Sequence, residues 1–254
     1  MNTLGKLWVL GLLASVCTAS AQWENITGNV PGPISTSNIG PMDSDGTRLY
    51  VLAPVGVYVS SDGGTTFTPL NTVNDPEYNL DQDKNGGGVP GPRFVGVAGG
   101  KVWVGYDPAS AAVNLGFATL HSMTPGGSAW DKASSGFPVG GFSNQADDIA
   151  HDATTGNYYA YASGLGGGVF RSSDGVNWTL SNGAKLGIGL PASLVAMNGV
   201  VHAAQPTIGI RRSIDGGLNY ARANDGVIGG FNSAGHLVNH NGRIIFPFGN
   251  GNIT

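Results

Sequence analysis

The chain alternates short apolar, β-branched and aromatic runs with glycine turns. Leu49-Tyr50-Val51-Leu52-Ala53, Val57-Tyr58-Val59-Ser60, Val102-Trp103-Val104, Tyr158-Tyr159-Ala160-Tyr161, Val169-Phe170 and Val200-Val201-His202-Ala203 each abut a Gly, Asn or Pro on at least one side. Such runs read as strands, and no helical period of useful length appears after the first two dozen residues. Laid under one another, the segments repeat one order: strand, glycine turn, strand, loop, strand, Asp-Gly turn, strand. The first unit places these strands at 37–42, 49–53, 57–60 and 66–70, and the second at 94–98, 102–106, 117–122 and 130–133. The third has 148–151, 158–162, 169–172 and 178–181, and the fourth 194–197, 200–204, 210–213 and 220–223. A fifth begins with 237–239 and 244–248. Four antiparallel strands repeated in series predict an all-β chain of radially arranged sheets, a β-propeller.

The third and fourth strands of a unit are joined by a device that recurs three times. It is Ser60-Ser61-Asp62-Gly63-Gly64-Thr65-Thr66-Phe67, then Ser172-Ser173-Asp174-Gly175-Val176-Asn177-Trp178, then Ser213-Ile214-Asp215-Gly216-Gly217-Leu218-Asn219-Tyr220. Asp-Gly between two strand-like runs is a hairpin signal, because glycine supplies the positive φ of a tight turn. The Ser and Asp oxygens are expected to accept the turn's own N–H groups, and the closing aromatic to pack between neighbouring sheets. A degraded copy runs from Ser122 to Trp130, with Thr124 in place of the acid.

These segments resemble the Asp-box, Ser-x-Asp-x-Gly-x-Thr-Trp, of the sialidase and xyloglucanase group of propellers, also called BNR repeats. The resemblance implies a structural role for Ser60, Asp62, Gly64 and Phe67, for Ser172, Asp174, Gly175 and Trp178, and for Ser213, Asp215, Gly217 and Tyr220, on the side away from the ligand face. Sheets are expected at about 34–70, 93–134, 146–182 and 192–223, with a partial one at 231–254. Trp23-Glu24-Asn25-Ile26-Thr27-Gly28 matches the strand after each box, so residues 22–28 are expected to supply an outer closing strand. Four complete units and pieces of a fifth read as part of a larger ring; a small five-sheet ring is the alternative.

Residues 1–21 read as a secretory signal: Lys6, an apolar run from Leu7 to Val16, and Ala19-Ser20-Ala21 before Gln22. A secreted or periplasmic location follows, with no membrane attachment after cleavage behind Ala21. Cleavage also removes Cys17, the single cysteine, so thiol and disulfide chemistry drop out. The formal charge of −4 argues against nucleic acid as a partner. Glycine at 43 of 254 residues without a collagen period fits a chain of many tight turns.

Candidate chemistry falls on the face where the chain enters each inner strand. The long loop 71–92 carries Asp81-x-Asp83-x-Asn85-Gly86, the opening of a calcium loop, but Pro92 stands where the bidentate Glu belongs. Asp81, Asp83 and Asn85 are therefore calcium candidates beside an expectation of no cofactor. Pro92-Arg93-Phe94-Val95 is faintly similar to the Phe-Arg-Ile-Pro of sialidases, whose arginines grip a substrate carboxylate; two further arginines cannot be placed. Glycoside hydrolysis needs two flanking carboxyls. Arg93, Asp147, Asp148 and Asp43 are the catalytic candidates, with Asp45 and Asp152 as further acids. His236 and His240 lie too far apart on a strand to share a metal. The expected ligand is a carbohydrate or a protein, and the expected function a carbohydrate-directed propeller, hydrolase-like or binding. The alternative is a non-catalytic interaction or assembly scaffold.

Overall fold

In the computed structural model, the residues described are 27–30, 42–53, 56–70, 92–106, 120–137, 146–163, 167–181, 193–205, 209–225, 237–240 and 242–245. The first sheet holds β1 (Met42–Ser44), β2 (Leu49–Ala53), β3 (Gly56–Ser60) and β4 (Thr68–Pro69). The second holds β5 (Pro92–Ala98), β6 (Lys101–Tyr106), β7 (Leu120–Met123) and β8 (Asp131–Lys132). The third holds β9 (Ala146–Asp152), β10 (Asn157–Ala162), β11 (Gly168–Ser172) and β12 (Thr179–Leu180). The fourth holds β13 (Ser193–Met197), β14 (Val200–Gln205), β15 (Gly209–Ser213) and β16 (Ala221–Arg222). β17 (Val238–His240) and β18 (Arg243–Ile245) form a two-stranded fifth. Within each sheet neighbouring strands are consecutive and antiparallel.

The hairpins at the inner strands close as the turn residues dictate. Asn198 and Gly199 sit at φ of 54° and 78°, the pair of positive values that a two-residue turn between twisted strands requires. Asp45 and Asp152 cap the corresponding turns. Asp45 Oδ1 accepts the Thr47 and Arg48 amides at 2.8 and 2.6 Å, and Asp152 takes the Thr154 amide and the Thr155 hydroxyl, each at 3.0 Å. Both acids are turn caps, which removes them from the hydrolytic candidates.

Side chains alternate across each strand, so every sheet presents one face to the sheet before it and one to the sheet after. Tyr50, Leu52 and Val57 of the first sheet meet Val95, Val102, Val104, Met123 and Trp130 of the second. Trp103 and Leu120 of the second meet Ala160, Phe170 and Trp178 of the third. Tyr159, Tyr161 and Val169 of the third meet Leu194, Val201, Ala203 and Tyr220 of the fourth, and Val195 and Ala204 meet Leu237 of the fifth. In each case the aromatic that closes the third hairpin (Trp130, Trp178, Tyr220) wedges back against the preceding sheet.

The fourth strands are shorter than expected, and the wedge is the reason. The run 178–181 predicts a strand that starts at Trp178, yet the ladder covers Thr179–Leu180 alone. The Trp178 amide donates instead to the Ser135 carbonyl at 2.8 Å and its Nε1–H to the Ala133 carbonyl at 2.6 Å, both in the tail of the second sheet. Phe137 ends that tail, stacked on Phe170 with ring centroids 4.7 Å apart.

At the other end, Thr27–Asn29 is a 3-10 turn, so the end of the expected closing strand 22–28 is not a strand; residues 22–26 lie outside the described residues, as does the expected signal 1–21. Asn29 Nδ2 donates to the Gly64 carbonyl at 2.9 Å, and Val30 packs with Val51, Tyr58 and Phe67. Among the described residues no helix is long and apolar enough to cross a membrane.

Candidate functional site

The three Ser-x-Asp turns are built alike. The serine hydroxyl donates to the aspartate at 2.7, 2.8 and 2.7 Å and accepts a glycine amide: Gly64 to Ser60 at 2.8 Å, Gly175 to Ser172 at 2.9 Å, Gly217 to Ser213 at 2.8 Å. The carboxylate then gathers the far side of the turn. Asp62 accepts the Thr66 amide and hydroxyl, Asp174 the Val176 and Asn177 amides and the Asn177 side chain, Asp215 the Leu218 and Asn219 amides and the Asn219 side chain. Both oxygens of each carboxylate are thus held by bonds from its own turn. In the degraded copy the Gly127 amide donates to the Thr124 carbonyl at 2.8 Å, so backbone does the work of the missing acid.

These bonds fix the charged form of the acids. The Thr66 hydroxyl and amide, with Ser60, hold Asp62 at about 2; the Asn177 amide and side chain and the Asn219 amide hold Asp174 and Asp215 lower still. A carboxylate whose folded pKa lies below its unfolded one stabilises the fold fully above the unfolded value, near 4, and loses that contribution as pH falls through the folded value. The melting midpoint is therefore expected to drop on acidification from about pH 4 toward pH 2. Changing all three acids to Asn should flatten that drop; an unchanged pH profile would show that the turns carry no linked stability.

Among the described residues, none of these turns lines the cavity at which the inner strands meet. β1, β5, β9, β13 and β17 together line a cavity of about 830 Å³. Met42, Val95, Leu194, Leu237 and Val238 supply apolar wall; Asp43, Asp147, Asp148, Ser193 and Asn239 supply polar groups. Two of the candidate acids are tied into the wall. Asp43 Oδ1 accepts the Ser44 amide at 2.7 Å and Oδ2 the Val97 amide of the next sheet at 2.6 Å. Asp148 Oδ1 accepts the Ile149 amide at 2.8 Å and Oδ2 the Leu194 amide of the next sheet at 2.7 Å. Ser193 Oγ accepts the Leu237 amide at 2.7 Å, a third clamp of the same kind and one that sequence reasoning missed. Between the second and third sheets Gly96 takes that place, and a Cβ there would lie 3.0 Å from Ile149, so close packing replaces the oxygen.

Asp147 lies one residue before the Asp148 clamp and half-buried on the cavity wall. Burial, with the Asp147 charge adding to it, raises the Tyr161 hydroxyl far above its ordinary value, so Tyr161 stays protonated; Gln205 Nε2 donates to it at 3.4 Å. The structure thus brings Asp43, Asp147 and Asp148 to one cavity. Arg93 lies in β5, but its side chain is outside the described residues, and so are Asp81, Asp83 and Asn85. Among the described residues no cluster of His, Cys, Asp and Glu could hold a metal.

Consecutive four-stranded sheets whose inner strands share one channel define a β-propeller-like fold. No protein-family model matches the chain, and no curated protein matches it in sequence. Solved structures do match in shape. The nidogen/laminin complex is similar with a TM-score of 0.55 at 14% identity, over 82% of this chain and 71% of that one. An ancestral GH74 enzyme is similar with a TM-score of 0.52 at 13% identity, over 80% and 28%. The GH74 xyloglucanase of Xanthomonas campestris gives 0.46 at 17% identity, over 70% and 28%. For three of the structures it matches, the chain spans only 20%, 28% and 22% of their length.

Proposed function

We propose that this chain is an exported, Asp-box-type propeller that binds carbohydrate in the channel formed by its inner strands. The observation that carries the reading is the channel itself: a ligand-sized cavity with apolar wall interrupted by Asp147, Ser193 and Asn239. Sites that hold sugars and other small molecules combine apolar lining with a few convergent polar groups at this scale. The shape likeness to an ancestral GH74 enzyme supports a carbohydrate-directed role. Binding is favoured over hydrolysis because a glycosidase needs two carboxyls free to exchange protons or attack carbon. Asp43 and Asp148 instead have both oxygens on main-chain amides. Asp147 is the acid assigned to ligand hydroxyls. Val30 meets Phe67 on the outer face of the first sheet as Phe137 meets Trp178 on the third.

The test is an oligosaccharide array followed by titration of the strongest neutral hit. Binding is expected with Asp147→Asn weakening it about tenfold or more, the loss of a hydrogen bond to a charged group, while a panel of chromogenic glycosides stays intact. Glycoside turnover would favour the hydrolase. Absence of any glycan binding, with capture of a protein partner instead, would favour the scaffold reading, for which the likeness to the nidogen/laminin complex speaks.

A further inference from the structure

The repeat allows the same position to be compared in successive grooves on the outer rim. Each groove between sheets is lined on one side by the residue just after the closing aromatic and its partner on the third strand. On the other side it is lined by the second residue after the next sheet's aromatic and that residue's partner. Between the first and second sheets these are Thr68 and Val59, facing Lys132 and His121. Between the second and third they are Asp131 and Ser122, facing Leu180 and Phe170. Between the third and fourth they are Thr179 and Arg171, facing Arg222 and Arg211.

The direction of these arginines follows from register. Tyr159 packs toward the fourth sheet with Val201, Ala203 and Tyr220, and Arg171 is the cross-strand partner of Tyr159, so it leaves β11 on that face. Ala203 packs toward the third sheet, Arg211 is its partner, and Arg222 is the partner of Arg211. Three guanidiniums therefore converge on one groove, with the buried Tyr220 ring as its floor. Arg171 acts electrostatically on both Tyr159 and Tyr220, which places its charge inside the groove. Like charges directly opposite on neighbouring strands, as Arg211 and Arg222 are, repel each other, and an anion seated between them relieves that repulsion. This concentration of positive charge stands on a chain whose net charge is −4.

We propose that the rim groove between the third and fourth sheets binds an acidic polysaccharide, Arg171, Arg211 and Arg222 gripping successive carboxylates. Guanidinium matches carboxylate with two parallel hydrogen bonds. Strands about 5 Å apart and sheets about 10 Å apart suit a stiff chain that repeats its carboxylates, and the Thr179 hydroxyl can meet a sugar hydroxyl on the same wall. The groove lies on the outer strands, apart from the channel, and does not require a ligand there.

The experiment is titration of the intact protein with trigalacturonate, its neutral counterpart trigalactose, and a short polyglutamate. Trigalacturonate is expected to bind, with an affinity that falls as salt rises and about tenfold with each of Arg171→Gln and Arg222→Gln, at unchanged melting temperature. Arg222→Lys should keep the charge and recover only part of the loss. Lys132→Gln in the first groove and Asp147→Asn in the channel should leave trigalacturonate binding unchanged, which separates this site from the channel. Equal loss on Lys132→Gln would show diffuse attraction rather than a site. No effect of the arginine changes, or binding of polyglutamate as tight as that of trigalacturonate, would overturn the proposal.

Discussion

Trp178→Ala is expected to cost about 4 kcal/mol, which for a chain of this size lowers the melting midpoint by about 8–16 °C. Trp178 is 4% exposed and fills the space between the second and third sheets, edge-on to Trp103 at 6.2 Å and to Phe137 at 5.3 Å. Removing the indole empties that space, and the Ala133 carbonyl loses its donor at the same time. Trp178→Phe keeps most of the packing and isolates the second effect, an unsatisfied buried acceptor worth about 1–3 kcal/mol. Thermal unfolding of the two variants checks both; a loss under about 1 kcal/mol for the alanine would mean that the aromatic wedge does not join the sheets.

Adjacent glycines in the third turn give the second large effect. Gly216 and Gly217 both lie in the left-handed region, at φ of 68° and 80°. Alanine at Gly216 finds open space beyond Tyr159 Oη at 3.9 Å, so Gly216→Ala should cost only the backbone strain, about 1–2 kcal/mol. A Cβ on Gly217 would overlap the Tyr159 ring, which is fully buried and cannot swing away. Strain and overpacking together give about 2–5 kcal/mol for Gly217→Ala. Denaturant unfolding of the pair resolves the difference; equal costs would mean that the turn does not rest on Tyr159.

What could be read from the chain and what could not divides by range. The Ser-x-Asp turns were legible because their bonds close within a few residues: Ser172 to Gly175, or Asp62 to Thr66. Strand order was legible because glycine and Asp-Gly turns punctuate it. The roles of Asp43 and Asp148 were not, since the amides they hold are 54 and 46 residues away. An acid at the start of an inner strand reads equally as catalyst or clamp until the neighbouring sheet is in place. The parallel bridge from Ser135 to Asn177 was not legible either, because it depends on a turn in the next sheet. Nothing in the local sequence groups Arg171 with Arg211 and Arg222, which lie 40 and 51 residues further on. Only cross-strand register puts Arg171, Arg211 and Arg222 on one groove.

The crystal structure of the protein with the tightest neutral oligosaccharide from the array tests the channel most directly. Sugar density between the inner strands, with a hydroxyl on Asp147 and the Asp43 and Asp148 clamps to Val97 and Leu194 intact, is the predicted result. Sugar seated elsewhere, or an Asp43 or Asp148 carboxylate released from its amides and turned onto a glycosidic bond, would contradict it.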